Sequence, residues 1–339
     1  MNIGTDSRGV YRLGERVGEL IRSRERISAL QPDQVLIELR AVSLNYRDLL
    51  YLDSEPMSCG LIPGSDGAGV IVDVGEQVND FQPGDRVVPS FFTAWIDGRY
   101  DLSYRETALG GGVDGTFATH IVVPARCLVR LAADLSFREA ACLPCAAVTA
   151  WNALVGRSKI KPGETVLVQG TGGVSLFAIQ MARSLGALPI LISGSLEKIK
   201  LAESMGVEHA VNYRDTPDWD QAILELTAGQ GCDRIVEVIG GQSMRRSIRC
   251  LRPGGTISYI GCLGGFDGDI DILELMYKNA KLEAIYVGSR RDLECVVQDM
   301  RSWGIAAMID DQSFSFDSLP QALERLRAGE HVGKIVIEL

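Results

Sequence analysis

The chain has 339 residues, 46% hydrophobic and 23% charged, with a formal net charge of -10. That length fits two domains, and the composition is that of an ordinary globular enzyme. The acidic balance excludes a general nucleic-acid face, which needs clustered Lys and Arg. No run of ~18 apolar residues could span a bilayer, and residues 1–30 lack the apolar core of a secretory leader, so a cytoplasmic chain with no membrane partner is expected. The eight cysteines then read as reduced thiols.

In chain order, the first ~145 residues carry β signals divided by Gly/Pro turns. Strands are predicted at 35–41 ("VLIELRA"), 69–74 ("GVIVDV"), within 82–88 ("QPGDRVV") and at 115–123 ("GTFATHIVV"). They suggest a compact, mostly antiparallel barrel. Between them, residues 89–115 hold Phe91, Phe92, Trp95, Tyr100, Tyr104 and the triplet Gly110–Gly112. This segment either lines an apolar pocket or packs on itself. The CxxC of Cys142 and Cys145 has no second Cys/His pair nearby to complete a metal site. None of the three histidines, His120, His209 and His331, has a catalytic context.

From about residue 150 strands and helices alternate. Strands are predicted at 165–169, 189–193, 209–212, 233–238, 256–261 and 282–287, with helices near 173–185, 196–205, 217–228 and 242–251. Alternation of this kind builds a doubly wound parallel sheet with helices on both faces, an α/β fold. A helix near 319–327 and the strand "KIVIEL" close the chain. The division expected is 1–149, 150–288 and a segment 289–339 that returns to the first domain.

The stretch Gly170, Thr171, Gly172, Gly173, Val174 joins a buried strand to a helix with an i, i+3, i+4 apolar stripe. Strand, glycine turn and helix form the context of a dinucleotide fingerprint, in which the helix N-terminus receives a pyrophosphate. Ser175 stands where the third glycine would be. The second strand ends in Ser193, Gly194 and Ser195, with Lys198 after them and no carboxylate at its tip. Hydroxyls and an ammonium suit a 2′-phosphate, so NADPH is the cofactor expected. Ile239 and Gly240 at the end of the fourth strand, and Gly261, Cys262 and Leu263 after the fifth, lie at carboxyl ends of parallel strands, where the nicotinamide should run.

The motifs "AVSLNYRD" (41–48), "IPGSDGAGVIVDVG" (62–75), "FQPGDRVV" (81–88), "LPCAAVTAWNAL" (143–154) and "GTGGVS" (170–175) together resemble the medium-chain dehydrogenase/reductase superfamily. The resemblance covers about residues 35–339. It implies a GroES-like, mostly β catalytic domain beside a Rossmann domain, with the active site between them. Zinc alcohol dehydrogenases of that superfamily place Cys and His where this chain has Asn45 and Ser65, leaving Cys145 as the one surviving ligand position. Amide and hydroxyl oxygens replace thiolate and imidazole poorly, and no cysteine occurs between 59 and 127 for the structural zinc lobe, so no zinc is expected.

The zinc-free, quinone-oxidoreductase-like branch is the closest in motif. It implies Tyr213 and Lys198 at the 2′-phosphate, Thr149 near the cofactor, and Lys334 of "HVGKIVIEL" either reaching the cofactor or lying at the surface. Asn45 is the first candidate for a polar catalytic group, also near the nicotinamide. Tyr46 and Tyr51 are candidate proton donors, each alternatively a packing aromatic. The activity expected is NADPH-dependent reduction of a quinone or α,β-unsaturated carbonyl. The alternatives are a zinc-free alcohol/aldehyde dehydrogenase and a non-catalytic cofactor-binding or regulatory protein. A homo-oligomer, a dimer first, would cover the open edge near 282–287.

Overall fold

The computed structural model describes residues 7–53, 59–261, 263–265 and 267–339. Contacts divide the chain into two compact units. The first is Met1–Val148, Val287–Asp299 and Ile309–Leu339; the second is Thr149–Tyr286 and Met300–Met308.

The first unit is built on strand Gln34–Ser43, which pairs antiparallel with Asp66–Val74, His120–Pro124 and Val336–Glu338. The sheet continues through Arg86–Pro89 to Leu128–Arg130 on one side and ends at Phe314–Ser315 on the other. Val35, Ile37 and Leu39 alternate along the central strand and are buried with Ile71, Val87 and Ile121, the period-2 pattern that the sequence shows. A hairpin of Ser7–Leu13 and Leu20–Arg26 adds a two-stranded sheet that the sequence did not predict. Its second strand reads "LIRSRER" and is largely exposed, so it carries little apolar signal.

The second unit is a six-stranded parallel sheet. Its order is His209–Asn212, Leu188–Ser193, Thr165–Gln169, Cys232–Glu237, Leu251–Tyr259, Lys281–Ala284. The strand order reverses at Thr165–Gln169, and at such a point ligands bind beyond the carboxyl ends. Helices Gly173–Ser184, Leu196–Ser204, Trp219–Leu226 and Ser243–Arg249 connect the strands. Each predicted strand and helix of this unit is present, with shifted ends. The last strand stops at Ala284, and Leu282 is exposed along this outer edge.

Arg234, 4% exposed, sits within the sheet. It donates to Ala153 O (2.9 Å) and to Ser158 O and Oγ (2.8 Å each), and pairs with Glu283 at 3.6 Å. A buried guanidinium persists because those bonds replace its water. Among the described residues no helix is long and apolar enough to cross a membrane, and the seven described cysteines are free thiols.

Candidate functional site

In the first unit, Asn45 lies two residues past the end of the central strand, Asp66 begins the strand paired beside it, and Lys334 lies just before the strand paired on its other side. Leu44 N donates to Ile335 O, and Asp310 N donates to Lys334 O, so the backbone at Lys334 and Ile335 is held from two directions. Its ammonium is 2.5 Å from Asn45 Oδ1, 2.6 Å from Leu44 O and 3.3 Å from Asp66 Oδ2. Lys334 is 3% exposed and Asp66 0%. Asn45 Nδ2 donates to Ser65 Oγ at 3.3 Å, which donates to Asp66 Oδ1 at 3.3 Å.

Around this core, Asp48 accepts from Asn45 N at 2.8 Å. Its other oxygen is buried without a partner. Burial raises the Asp48 carboxyl to about 6 against the pull of Arg47, while Asp66 pushes the same way as burial. The folded chain therefore binds this proton more tightly than the unfolded chain, whose ordinary value is 3.8. Stability falls as pH rises from 3.8 through 6, and the full penalty stands above that window. Asp48→Asn keeps an oxygen for Asn45 N–H and removes the charge. Relative to its effect at pH 3.5, the substitution should be more favourable by up to about 3 kcal/mol at pH 8. Urea unfolding of both proteins at pH 3.5 and 8 measures this; equal differences at both pH values would contradict it.

Tyr46, 39% exposed, opens helix Tyr46–Asp53. Tyr51 is half-buried, with the Arg47 guanidinium 5.0 Å from its ring centre. Arg47 also stacks on Phe91 at 4.5 Å and donates to Leu109 O at 2.8 Å. Phe91, Phe92 and Trp95 are buried. Trp95 packs on Phe92, Tyr100 and Tyr104 at 5.6, 5.1 and 6.0 Å between ring centres, and its Nε1 donates to Gly98 O. The aromatics of 89–115 are thus a self-packed cluster.

Cys145 and Cys142 lie on the irregular helical turn that includes Leu143–Ala147 and in the residue before it. Burial pushes both thiols up to about 12. Among the described residues no group of three or more His, Cys, Asp or Glu could hold a metal. The donors themselves are unsuited to zinc. Asn45 Oδ1 and Asp66 are engaged by an ammonium and Ser65 is a hydroxyl, whereas zinc prefers thiolate and imidazole.

In the second unit, Gly170 has φ +70°, a left-handed turn open to glycine, and leads into helix Gly173–Ser184. A Cβ on Gly172 would meet nothing, and as N-cap it offers no side chain to the helix N–H groups. Thr171 and Ser193 are buried, and Val174 lies in the first turn of the helix. These features fit a pyrophosphate over the helix N-terminus. Thr149 is buried on the short helix Val148–Trp151.

Gly194, Tyr213 and Arg214 form one corner. A Cβ on Gly194 would lie 2.6 Å from Tyr213 Oη and 3.0 Å from Arg214 Nε. Ser195 caps the next helix, accepting from Lys198 N at 3.4 Å. The structure thus brings Ser193, Gly194 and Ser195 together with Tyr213, and adds Arg214. Sequence reasoning missed that cation, although it directly follows Tyr213 in "NYRD".

Sequence reasoning also missed the support under Ile239 and Gly240. Glu237 is 0% exposed; its Oε1 accepts from Ile239 N (3.1 Å) and Gly240 N (2.9 Å). Its Oε2 accepts from Gln169 Nε2 (2.7 Å) and from Ser247 Oγ. Gln169 Oε1 accepts from Val238 N at 3.1 Å. Two polar residues within buried strands were the available signal. Gly261 presses on Val238, where a Cβ would lie 1.9 Å from the carbonyl oxygen, and Leu263 is exposed. Cys262 lies outside the described residues.

A family model described as alcohol dehydrogenase GroES-like domain matches residues 31–133, and one described as zinc-binding dehydrogenase matches 173–302. A zinc-type alcohol dehydrogenase-like protein of Schizosaccharomyces pombe is 42% identical over 320 residues, covering 91% of this chain and 92% of its own. The crystal structure of a candidate alcohol dehydrogenase from Sinorhizobium meliloti superposes with a TM-score of 0.91 at 34% identity, covering 99% of this chain and 100% of its own. The structure of an NAD-dependent alcohol dehydrogenase gives 0.88 at 28% identity, covering 98% and 99%. A quinone oxidoreductase of Pseudomonas syringae gives 0.83 at 25% identity, covering 98% and 100%.

Proposed function

The chain belongs to the medium-chain dehydrogenase/reductase superfamily, and from that premise we propose that it is a zinc-independent, NADPH-dependent reductase of a quinone or α,β-unsaturated carbonyl. The observation that carries this reading is the donor set at Asn45: an amide and a hydroxyl, Asn45 and Ser65, stand at two of the positions that by resemblance hold zinc ligands in the metal-dependent branch, and the Lys334 ammonium engages the Asn45 oxygen. Oxidising a simple alcohol needs a Lewis acid or a base to form the alkoxide. A conjugated carbonyl is already electrophilic and needs only a hydride, a donor for its oxygen and a proton.

The bound cofactor supplies the hydride. In this reading Tyr213, Arg214, Ser193, Ser195 and Lys198 would hold its 2′-phosphate, and Gly170–Val174 would receive its pyrophosphate. The Glu237–Gln169 network fixes the Ile239–Gly240 backbone, which would support the nicotinamide ring. Asn45 Nδ2 carries two protons; Ser65 takes one, and the other is donated to the acceptor's oxygen as negative charge grows there. Tyr46 or Tyr51 gives a proton, replaced from solvent, to the α-carbon of an enone or to the oxygen of a quinone.

A substrate panel tests the reading. With EDTA present, NADPH should be consumed by cyclic enones and benzoquinones, and simple alcohols should not reduce NADP. Alcohol oxidation that outpaces enone reduction would favour the alcohol dehydrogenase reading. NADPH binding without turnover of any acceptor would favour a regulatory role.

A further inference from the structure

We propose that Lys334 is the positioning residue of the Asn45 site, a resident cation that fixes which end of the Asn45 amide faces outward. This rests on the reductase reading, and deepens it. An ammonium has three protons, and this one has three acceptors: Leu44 O, Asn45 Oδ1 and Asp66 Oδ2. None remains for a substrate or a phosphate, so Lys334 acts through its neighbours.

The consequence falls on Asn45. Turning its amide over would set an NH2 group against the ammonium and an oxygen toward the Ser65 hydroxyl. With Oδ1 held by Lys334, Nδ2 takes the other side, donating to Ser65 Oγ at 3.3 Å with its second proton free. The ammonium also polarises the amide in a buried setting, which strengthens Nδ2–H as a donor. The charge is retained because Asp66, 0% exposed, pairs with it at 3.3 Å. Ser43 and Ser65 donate to the same carboxylate at 3.4 and 3.3 Å. The device resembles a metal site in placing one fixed positive charge under the catalytic donor, with a side chain in place of an ion.

Three variants test it: Lys334→Met, Asn45→Asp and Asn45→Leu, each read by thermal midpoint, NADPH dissociation constant and enone kcat. Lys334→Met should lower kcat at least ~10-fold, the scale of one misplaced donor, and leave NADPH binding within about twofold. Asn45→Asp keeps an acceptor for Lys334 but loses the donor, so its thermal midpoint should stay near wild type while kcat collapses. Asn45→Leu should lose both.

Weakened NADPH binding with kcat intact in Lys334→Met would overturn the proposal and make Lys334 a cofactor contact. Equal destabilisation by Asp and Leu at position 45 would overturn it too, because Oδ1 would then not be pinned. If Lys334→Met does not fold, the comparison at position 45 still decides. If wild-type protein reduces no enone, the reductase reading fails, and the midpoints alone decide whether Lys334 holds Asn45.

Discussion

Replacing Gly194 by Asp should shift cofactor preference away from NADPH and toward NADH. The wild-type corner has no carboxylate, and Tyr213 Oη and Arg214 Nε stand 2.6 and 3.0 Å from where a Cβ on Gly194 would be. An aspartate there displaces both side chains and sets a negative charge against the 2′-phosphate. The same carboxylate can accept from a ribose hydroxyl of NADH. A hydrogen bond to a charged group contributes about 1.5–3 kcal/mol, and losing one such bond while gaining repulsion should cut NADPH kcat/KM about 100-fold or more. Arg214→Ala should cost NADPH about 10-fold and leave NADH unchanged. The ratio of kcat/KM for the two cofactors is the readout; a ratio unmoved by either variant would remove the 2′-phosphate from this corner.

The second large effect is expected at Asn45. Asn45→Leu should lower kcat about 100- to 1000-fold, the range found when a donor to a developing oxyanion is removed. The residues proposed for the 2′-phosphate and pyrophosphate all belong to the second unit, so the NADPH dissociation constant should change far less than kcat. Steady-state rates with a cyclic enone, set beside fluorescence titration of NADPH, separate the two. If kcat/KM stays within about threefold of wild type, Asn45 is no oxyanion donor, and catalysis rests on proximity alone.

The parallel sheet was legible because its elements repeat two simple signals, a buried apolar strand and a helix with one apolar face. Leu167 and Val236 are fully buried on neighbouring strands, as their runs suggest. The hairpin at 7–26 was not legible, since its outer strand alternates arginines with polar residues and packs on one face only. Helix Arg290–Trp303 fell in a stretch read without an element, although Leu293, Val296 and Met300 form a helical stripe and are buried.

The site was legible in part. Asn45, Ser65 and the glycine turn stand in contiguous motifs. The Lys334–Asp66 pair joins residues 268 positions apart, and no local pattern announces that a lysine near the C-terminus will meet an asparagine at 45. Glu237 was hidden for a related reason: a buried carboxylate on a strand has meaning only once Gln169 and Ser247 are seen beside it. The aromatic segment 89–115 was read as either a pocket lining or a self-packed segment because composition cannot separate the two; Trp95 packs on Tyr100 and Tyr104, the self-packed arrangement.

The most direct test is a single sample, dialysed against a chelator, on which enone-dependent NADPH oxidation and zinc content are both measured. Full turnover is expected with zinc far below one ion per chain, and no gain when zinc is restored. Activity that vanishes on chelation and returns with one equivalent of zinc would contradict it.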